Sequence, residues 1–309
     1  MEYALAVDLG GTKVETALVD ADGILLAGSR FRAPTGRDNP SDDIAAGIRG
    51  IVRDAVAELP EDGTLIGAGI GSAGPITVAP GLVSPLNLPQ WRDFPLRDLV
   101  ASALPHDLPV SLRKDGECIT IAEHWVGAGR GVDDMMGMVV STGVGGGLIL
   151  GGIAVAGPTG NAGEIGHIEV GGFDDLCDCG GVGCLEGVAS GPKTVAWARR
   201  QGWTGTTGEE LAASYAAADP IARAAVRRSG RALGQALASA TAFTDLSLVA
   251  VGGGFSKVTP DLLDFAREAV AERREYRYVT ALRIVPSGLS NDGPLIGAAA
   301  LIHRAHFVA

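Results

Sequence analysis

The chain has 309 residues, of which 46% are hydrophobic, and it carries a formal net charge of −11 at pH 7. This length exceeds one ordinary compact core and predicts two domains with an active site between them. The acidic balance argues against a protein that binds nucleic acid or an anionic membrane, because phosphate groups would be repelled. Small neutral substrates stay open, as do anions held by local backbone amides.

The first residues, MEYALAVDLGG, differ from a signal peptide, which starts with basic residues and has a longer apolar run. No later run is long and apolar enough to span a bilayer. We therefore expect a cytoplasmic protein. In that compartment thiols stay reduced, and clustered cysteines more often bind metal than form disulfides.

Three apolar runs open the chain, over residues 3–11, 12–23 and 24–34, and they predict a β-meander. A helix should follow over residues 41–59, with Ser41 as its cap. Residues 65–76 then read as a buried strand that enters a glycine turn. Residues 110–125 predict a strand, Asp115 at the joint, and a second helix.

Residues 135–157 repeat the opening plan of three strands separated by glycine turns, so a duplicated domain is the simplest account. Helices are expected over residues 220–245 and 261–275, and a strand enters a third glycine turn near residue 252. A terminal helix should cover residues 291–305. No low-complexity linker separates the domains, and we expect the boundary near residues 110–118.

The three glycine turns are DLGGTK, STGVGGG and VGGGFS. Glycine permits positive φ and lets backbone amides approach a phosphate closely. Each turn alone is most simply a tight hairpin, and neither the P-loop nor the dinucleotide spacing is met. Three such turns in a duplicated frame, with Asp8 and Thr12 flanking the first, favour a nucleotide cleft.

One imidazole and three thiols cluster within eighteen positions, and this ligand set suits tetrahedral Zn²⁺. Four protein ligands leave no open position for activated water, so a structural zinc is expected, with unrelated reduced thiols as the alternative. Glu164 and Glu186 flank the cluster, and zinc could set such groups to grip a hydroxyl-rich ligand. Alternatively, both glutamates are simply solvated. The ligands are His167, Cys177, Cys179 and Cys184.

Asp115 allows two interpretations. An aspartate where a strand meets a helix can simply cap the helix. A carboxylate in that place can also accept a proton from a hydroxyl that attacks a phosphoryl group.

Several motifs together resemble the ROK family, which contains bacterial sugar kinases and related sugar-responsive repressors. In chain order they are VDLGGTK, SPLNLPQWRDFPL, Asp115, STGVGGGLILGG, NAGEIGHIEVGG, CDCGGVGCLEGVASGP and VAVGGGFS. They cover nearly the whole chain, and the stretch from Glu164 through Glu186 is the most specific. The resemblance implies an α/β class with a duplicated actin-like/hexokinase-type (ribonuclease H-like) fold, in two domains around a cleft.

The expected domains follow from this fold. Residues 1–115 would form a small N-terminal α/β domain, on which a C-terminal helix over about 293–309 packs back. Residues 116–292 would form a large C-terminal α/β domain that carries the zinc-binding loop.

The resemblance also assigns roles residue by residue. Asp115 matches the catalytic base, and Asp8 would lie near Mg²⁺. His167 would serve both as a zinc ligand and as a sugar contact. The residues that match sugar contacts are Asn87, Glu164, His167 and Glu186. The residues expected near ATP are Gly10, Gly11, Thr12, Lys13, Thr142, Gly143, Gly253 and Gly254.

Lys114 departs from the family pattern, which has asparagine before the catalytic aspartate and uses that asparagine to contact the sugar. Lysine can point away, or it can contact a sugar oxygen as a donor only. We therefore keep Lys114 among the substrate-binding residues, but the identity of the sugar stays open.

The resemblance implies an ATP-dependent sugar kinase that phosphorylates glucose at the 6-hydroxyl, with Mg²⁺ and structural Zn²⁺. Kinases of N-acetylmannosamine, N-acetylglucosamine or another hexose are alternatives, as is a catalytically silent sugar-binding protein; polyphosphate in place of ATP is also open. A repressor is disfavoured by the charge and by the phosphate loop at Asp8, which leaves no room for a preceding winged helix. The expected partners are a small sugar and further copies of the chain in a dimer or tetramer, with no nucleic acid and no membrane.

Overall fold

A computed structural model describes residues 1–105, 107–289 and 291–308. The strands are β1 (Glu2–Leu9), β2 (Lys13–Asp20), β3 (Phe31–Pro34), β4 (Thr64–Ser72), β5 (Ile76–Thr77), β6 (Leu82–Val83), β7 (Val110–Lys114), β8 (Met135–Val140), β9 (Val144–Leu150), β10 (Ile153–Ala154), β11 (Leu248–Gly252) and β12 (Arg283–Pro286). The helices are α1 (Ser41–Ala57), α2 (Leu96–Ala101), α3 (Asp115–Trp125), α4 (Leu185–Ala189), α5 (Gly191–Arg200), α6 (Gly208–Ala216), α7 (Pro220–Thr244), α8 (Asp261–Ala271), α9 (Arg277–Thr280) and α10 (Gly293–His303).

The chain forms two compact units. The first consists of Met1–Gly131, Gly147–Gly163 and Gly288–Ala309, and the second of Val132–Gly146 and Glu164–Ser287. The domain boundaries at residues 115 and 292 stay a prediction. They differ from these units, because the first unit also contains α3 and the segment from residue 147 to 163. The last residue of the predicted terminal helix, Ala309, lies outside the described residues.

The sheet of the first unit has the order β3-β2-β1-β4-β7. The first three strands are antiparallel neighbours, and β4 and β7 then add in parallel to β1. Alternation along β1 sends its larger side chains, such as Leu5 and Val7, into a core shared with Ile44 and Ile48 of α1. The strands β1, β4 and β7 therefore end at the same edge, where Asp8, Ser72 and Lys114 lie.

The opposite face of β1 carries small residues. Ala4 and Ala6 share a second core cluster with Leu295 and Ala298 of α10. Gly69 of β4 leaves the space that α10 occupies, because a Cβ there would collide with the Ala298 carbonyl. The terminal helix thus packs on the sheet formed by the start of the chain.

The second sheet repeats this plan with the order β10-β9-β8-β11-β12. Strands β9 and β10 form an antiparallel pair at one edge, and β8, β11 and β12 are parallel to one another. Strand β9 begins in the second unit and continues into the first. Within the second unit, α7 packs on α8, α4 and α5. The duplicated plan expected from the glycine turns is therefore confirmed.

Two local expectations were wrong. Ser41 does not cap α1; it is the first residue of the helix, and its Oγ accepts a hydrogen bond from Trp91 Nε1 at 2.9 Å. The third apolar run forms a strand only from Phe31. Residues 24–26 pair with β2 through an isolated bridge at Leu25 and the backbone hydrogen bonds beside it, and a turn at residues 27–28 then interrupts the run. Among the described residues, no helix has the length and apolar character needed to cross a membrane.

Candidate functional site

The first glycine turn connects β1 to β2 in the first unit. Gly10 N–H donates to the Lys13 carbonyl at 2.9 Å, and the Thr35 hydroxyl donates to the Gly10 carbonyl at 2.9 Å. Asn87 lies directly on this turn, since a Cβ at Gly11 would sit 2.6 Å from Asn87 Cγ. Gly11 is therefore required by its neighbour rather than by its φ. Asn87, which is expected to bind the sugar, therefore contacts Gly11, which is expected to lie near the phosphates.

Charged side chains surround the first turn. Glu15 is buried and receives hydrogen bonds from Arg32 and, at 3.1 Å, from Lys13, while Arg30 lies 3.4 Å away. Burial works to raise the pKa of Glu15, but these three cations outweigh it and the pKa is lowered. Desolvation, together with the negative charges of Asp115 and Glu15, raises the pKa of Asp8 to about 7. Glu15 thus gathers three cations beside the expected phosphate loop.

Asp115 is the first residue of α3, and the capping position belongs to Lys114. The Asp115 carboxylate accepts a hydrogen bond from its neighbour Gly116 N–H at 2.7 Å, which fixes its direction at the helix start. Its charge acts on Asp8, so the end of β1 and the start of α3 bring two carboxylates into one electrostatic site.

Lys114 is almost completely buried, with 1% of its surface exposed. Its ammonium donates to the Ala162 carbonyl at 3.4 Å, and its aliphatic chain runs past Gly74. Asn161 joins the same loop to β5 by exchanging hydrogen bonds with the backbone of Ile76. Lys114, at the position where the resemblance led us to expect asparagine, therefore contacts the protein's own loop, and a direct sugar contact stays a prediction.

The second glycine turn connects β8 to β9, and Glu186 lies on it. The Glu186 carboxylate accepts a hydrogen bond from Val144 N–H at 2.9 Å, and a Cβ at Gly143 would be 2.5 Å from Glu186 Oε2. Thr142 is exposed at the tip of the turn. Glu186, which is expected at the sugar, therefore lies against Gly143, which is expected at the phosphates, and forms a hydrogen bond with the next residue of the chain, Val144.

The third glycine turn lies beside the second because β8 and β11 are parallel neighbours. Gly253 needs to be glycine: its φ is +95°, and a Cβ would lie 2.5 Å from the Val140 carbonyl oxygen. Gly254 is close to the Ser141 hydroxyl, since its Cβ would lie 3.6 Å from that oxygen. The second and third glycine turns thus lie side by side at one edge of the second sheet.

The thiols and the imidazole do come together. The ligand atoms of His167, Cys177, Cys179 and Cys184 all lie within 4.8 Å of one another. Cys179 Sγ and Cys184 Sγ are 3.6 Å apart, and Cys177 Sγ is 3.7 Å from His167 Nδ1. Tetrahedral zinc with Zn–S bonds of about 2.3 Å requires sulfur atoms roughly 3.8 Å apart. These four residues therefore fit Zn²⁺ in both donor type and spacing.

The cysteines differ in ionisation. Burial raises the pKa of Cys184 to about 12, whereas the Gly181 N–H and the neighbouring Cys177 thiol lower the pKa of Cys179 to about 7. Nδ1 of His167 faces the thiols, so Nε2 is the ring nitrogen left for another partner. A metal ion in this cluster would be bound by thiolates, because zinc displaces their protons.

A short antiparallel ladder places the metal ligands beside Glu186. Val170 N–H donates to the Gly183 carbonyl at 2.8 Å, and Leu185 N–H donates to the Ile168 carbonyl at 2.9 Å. Glu186 therefore follows a short segment that is paired with the residues directly after His167. Both Glu164 and Glu186 are partly buried, and their sugar-binding roles stay a prediction.

Sequence reasoning missed a second anchor of this loop. Arg228 of α7 forms an ion pair with Asp175 and lies over the rings of Phe173 and Trp197, with its guanidinium carbon 4.9 Å and 5.3 Å from the ring centroids. No local motif marks Arg228, because it sits in an ordinary amphipathic helix. Glu15 was missed for a similar reason, since a glutamate in a strand normally faces solvent.

The predicted site residues fall into two groups. In the first unit, Asp8, the first glycine turn, Asn87, Lys114 and Asp115 lie at or near one sheet edge. In the second unit, the two other glycine turns, Glu186 and the metal cluster are connected, while Glu164 precedes a short 3₁₀ turn that contains His167.

Two sheets that each open with a glycine-turned hairpin and continue with parallel strands define the duplicated actin-like, hexokinase-type fold. Residues 4–305 match the ROK family, and the chain belongs to that family. It is 31% identical to a glucokinase of Thermotoga maritima, covering 96% of both chains, and 32% identical to an N-acetylmannosamine kinase of Yersinia pestis, covering 97% of this chain and 98% of that one. A ROK glucokinase from Streptomyces griseus, solved with glucose and AMPPNP, has 30% identity and a TM-score of 0.79 over 98% of this chain and 99% of that one.

Proposed function

We propose that this ROK protein transfers the γ-phosphoryl group of ATP to the 6-hydroxyl of glucose, with Asp115 as general base. The class of sugar kinase phosphotransferase rests on family membership and on kinase relatives over nearly the full length. The single observation that carries the finer proposal is the position of Asp115. It stands at the end of a parallel strand, starts a helix, and shares its electrostatic environment with Asp8 of the first glycine turn.

Asp115 would accept the hydroxyl proton as the sugar oxygen attacks the phosphoryl group. The Gly116 N–H holds the carboxylate in one direction, so less orientation is lost when the substrate arrives. General bases of this kind contribute roughly 10²–10⁴-fold to the rate.

ATP would be held by the three glycine turns. Backbone N–H groups of the first two turns, with Thr12, Lys13 and Thr142 at their exposed tips, would face the phosphates, and Gly253 and Gly254 would flank the adenosine. Asp8 would hold Mg²⁺, which when bound neutralises charge on the phosphoryl oxygens. Burial and the neighbouring carboxylates raise the pKa of Asp8, and a divalent cation bound there would favour its ionised form.

Asn87, Glu164, His167 and Glu186 would bind the sugar hydroxyls, and His167 would use Nε2 because Nδ1 faces the thiols. A bound Zn²⁺ would order the loop that carries these groups. The glucose assignment is supported by the glucokinase relatives, one of which is solved with glucose.

N-acetylmannosamine is the second candidate substrate, since a kinase of that sugar is equally similar in sequence. Lys114 favours neither sugar, because its ammonium contacts the Ala162 carbonyl. A homo-oligomer of two or four copies stays a prediction.

The test is ADP release from Mg-ATP with glucose, mannose, fructose, N-acetylglucosamine and N-acetylmannosamine. We expect turnover with glucose, and we expect Asp115→Asn to lower kcat roughly 10³-fold while sugar and nucleotide Kd change less than threefold. Asp98→Asn, the same change at an exposed aspartate of the same unit, should leave kcat unchanged. Turnover restricted to an acetamido sugar would show that glucose is not the substrate. An active Asp115→Asn enzyme would show that Asp115 is not the base.

A further inference from the structure

Glu186 contacts the second glycine turn at a point that the sugar-binding role does not require. Its Oε2 accepts the hydrogen bond of Val144 N–H at 2.9 Å, and it occupies the space that a side chain at Gly143 would need. The turn is therefore shaped around this carboxylate.

The backbone of Glu186 is held from the other side. Cys184, two residues earlier, belongs to the metal cluster, and Leu185 N–H donates to the Ile168 carbonyl at 2.9 Å. Ser190 N–H donates to the Glu186 carbonyl at 3.2 Å. The carboxylate can therefore move only through its own side-chain torsions. Any such movement changes its contact with the turn.

We propose that Glu186 couples sugar binding to nucleotide binding within the second unit. The inference rests on the proposed function, in which Glu186 binds a sugar hydroxyl and the turn binds ATP phosphates. A carboxylate has two oxygens, so one can accept from the sugar while the other accepts from Val144 N–H. The sugar then fixes the carboxylate and, through it, the turn, so the nucleotide meets a turn that is already ordered.

The coupling is reciprocal by thermodynamic necessity. If the sugar tightens nucleotide binding by a given factor, the nucleotide tightens sugar binding by the same factor. Couplings of this kind lie between about 5-fold and 150-fold. We expect at least a fivefold effect in the wild-type protein.

Gly143→Ala, in this turn, and Gly145→Ala, at the start of β9, form a matched pair of variants. The new Cβ at residue 143 would lie 2.5 Å from Glu186 Oε2, the end of a flexible side chain that can move without unfolding the protein, whereas a Cβ at residue 145 meets nothing within 4 Å. With glucose titrated by calorimetry in the absence of nucleotide, we expect Gly143→Ala to raise the sugar Kd at least tenfold and Gly145→Ala to change it less than twofold. Equal sugar affinity in the two variants would overturn the proposal.

Glu186→Gln supplies a second measurement that does not depend on how Gly143→Ala folds. The Kd of Mg-AMPPNP is measured with and without saturating glucose. Glucose should tighten it at least fivefold in the wild type and less than twofold in Glu186→Gln. Unchanged coupling in Glu186→Gln would reject the proposal while leaving the kinase assignment intact. Failure of the wild type to bind or turn over any sugar would instead remove the proposed function, and this proposal with it.

Discussion

The first and second glycine turns connect equivalent strands of the two sheets, yet different side chains lie on them. Asn87, a neutral amide, covers Gly11, whereas Glu186, a carboxylate, covers Gly143 and accepts a hydrogen bond from the turn. The buried carboxylate beside the first turn does not belong to the side chain that covers it. It is Glu15, which forms ion pairs with three cations. Two equivalent glycine turns therefore contact, in two different ways, a side chain that is expected to bind the sugar.

The supports of these two side chains also differ. Asn87 precedes Leu88 and Trp91, both fully buried, and the Trp91 ring stacks on Phe94 with centroids 3.9 Å apart. Glu186 follows Cys184 of the metal cluster. An apolar core thus holds the side chain of the first turn, and a metal site is expected to hold that of the second.

Removing the metal should have the largest effect, and it should act on the side chain of the second turn but not on that of the first. We expect Cys184→Ser to lose bound zinc and to raise the sugar Kd on the order of 100-fold, because the segment before Glu186 loses its anchor. Zinc content by mass spectrometry and sugar binding by calorimetry measure both effects.

Cys118→Ala is the matched control for this change. Cys118 is the fourth cysteine, buried in α3 of the first unit and absent from the metal cluster. It should keep one zinc per chain and a sugar Kd within threefold of the wild type. Full sugar affinity in zinc-free Cys184→Ser protein would show that the loop needs no metal.

Gly11→Ala tests the first turn in the same way that Gly143→Ala tests the second. The new Cβ would meet Asn87 at its Cγ and also, at 3.1 Å, at its Cβ, so the whole residue has to move. We expect the sugar Kd to rise on the order of 30-fold, more than for Gly143→Ala, where only the end of a side chain is displaced. Gly50→Ala, in α1 with nothing within 4 Å, is the control, and an unchanged sugar Kd in Gly11→Ala would remove Asn87 from the sugar site.

The smallest expected effect is a pH dependence that belongs to the first turn. Because the folded pKa of Asp8 is about 7, above its ordinary value of 3.8, the proton is bound more tightly in the folded protein. The resulting stability is fully present below pH 3.8 and is lost as the pH rises through 7. In the proposed role of Asp8, Mg²⁺ would have to displace this proton, so Mg-AMPPNP affinity should rise about tenfold from pH 6 to pH 8.

Asp8→Asn distinguishes the effect of the Asp8 proton from the effect of protonating the nucleotide phosphates. The variant keeps the protonation of the nucleotide phosphates but lacks the Asp8 proton. Its Mg-AMPPNP affinity should be lower and should vary less with pH than that of the wild type. The same pH slope in both proteins would show that Asp8 does not bind the metal.

Much of this fold is predictable from the sequence, because its signals are local. Apolar strands ending in glycine turns predict both hairpins, and the spacing of His167 and the three nearby cysteines predicts a cluster that the structure brings together. The contacts of Asn87 with Gly11 and of Glu186 with Val144 join residues 76 and 42 positions apart, and no local pattern encodes them.

The buried charges were the least predictable part. Glu15, Glu117 and Glu123 are all buried, although glutamate is normally exposed. Their burial depends on partners that come from other strands, helices and loops. Glu123, for example, accepts from Ala128 N–H and Gly288 N–H at 2.8 and 3.2 Å. The cap at Ser41 failed for the same reason, since a distant tryptophan takes its hydroxyl.

The packing of α10 on β1 and β4 has a consequence for synthesis of the chain. The first unit begins at residue 1, but one face of its sheet stays uncovered until α10, at residues 293–303, has left the ribosome. All residues of the second unit precede that helix. The first unit can therefore be completed only after every residue of the second unit has been synthesised, whereas domains generally fold in order from the N-terminus. The first glycine turn is therefore synthesised early, while one face of the sheet that carries it is covered last.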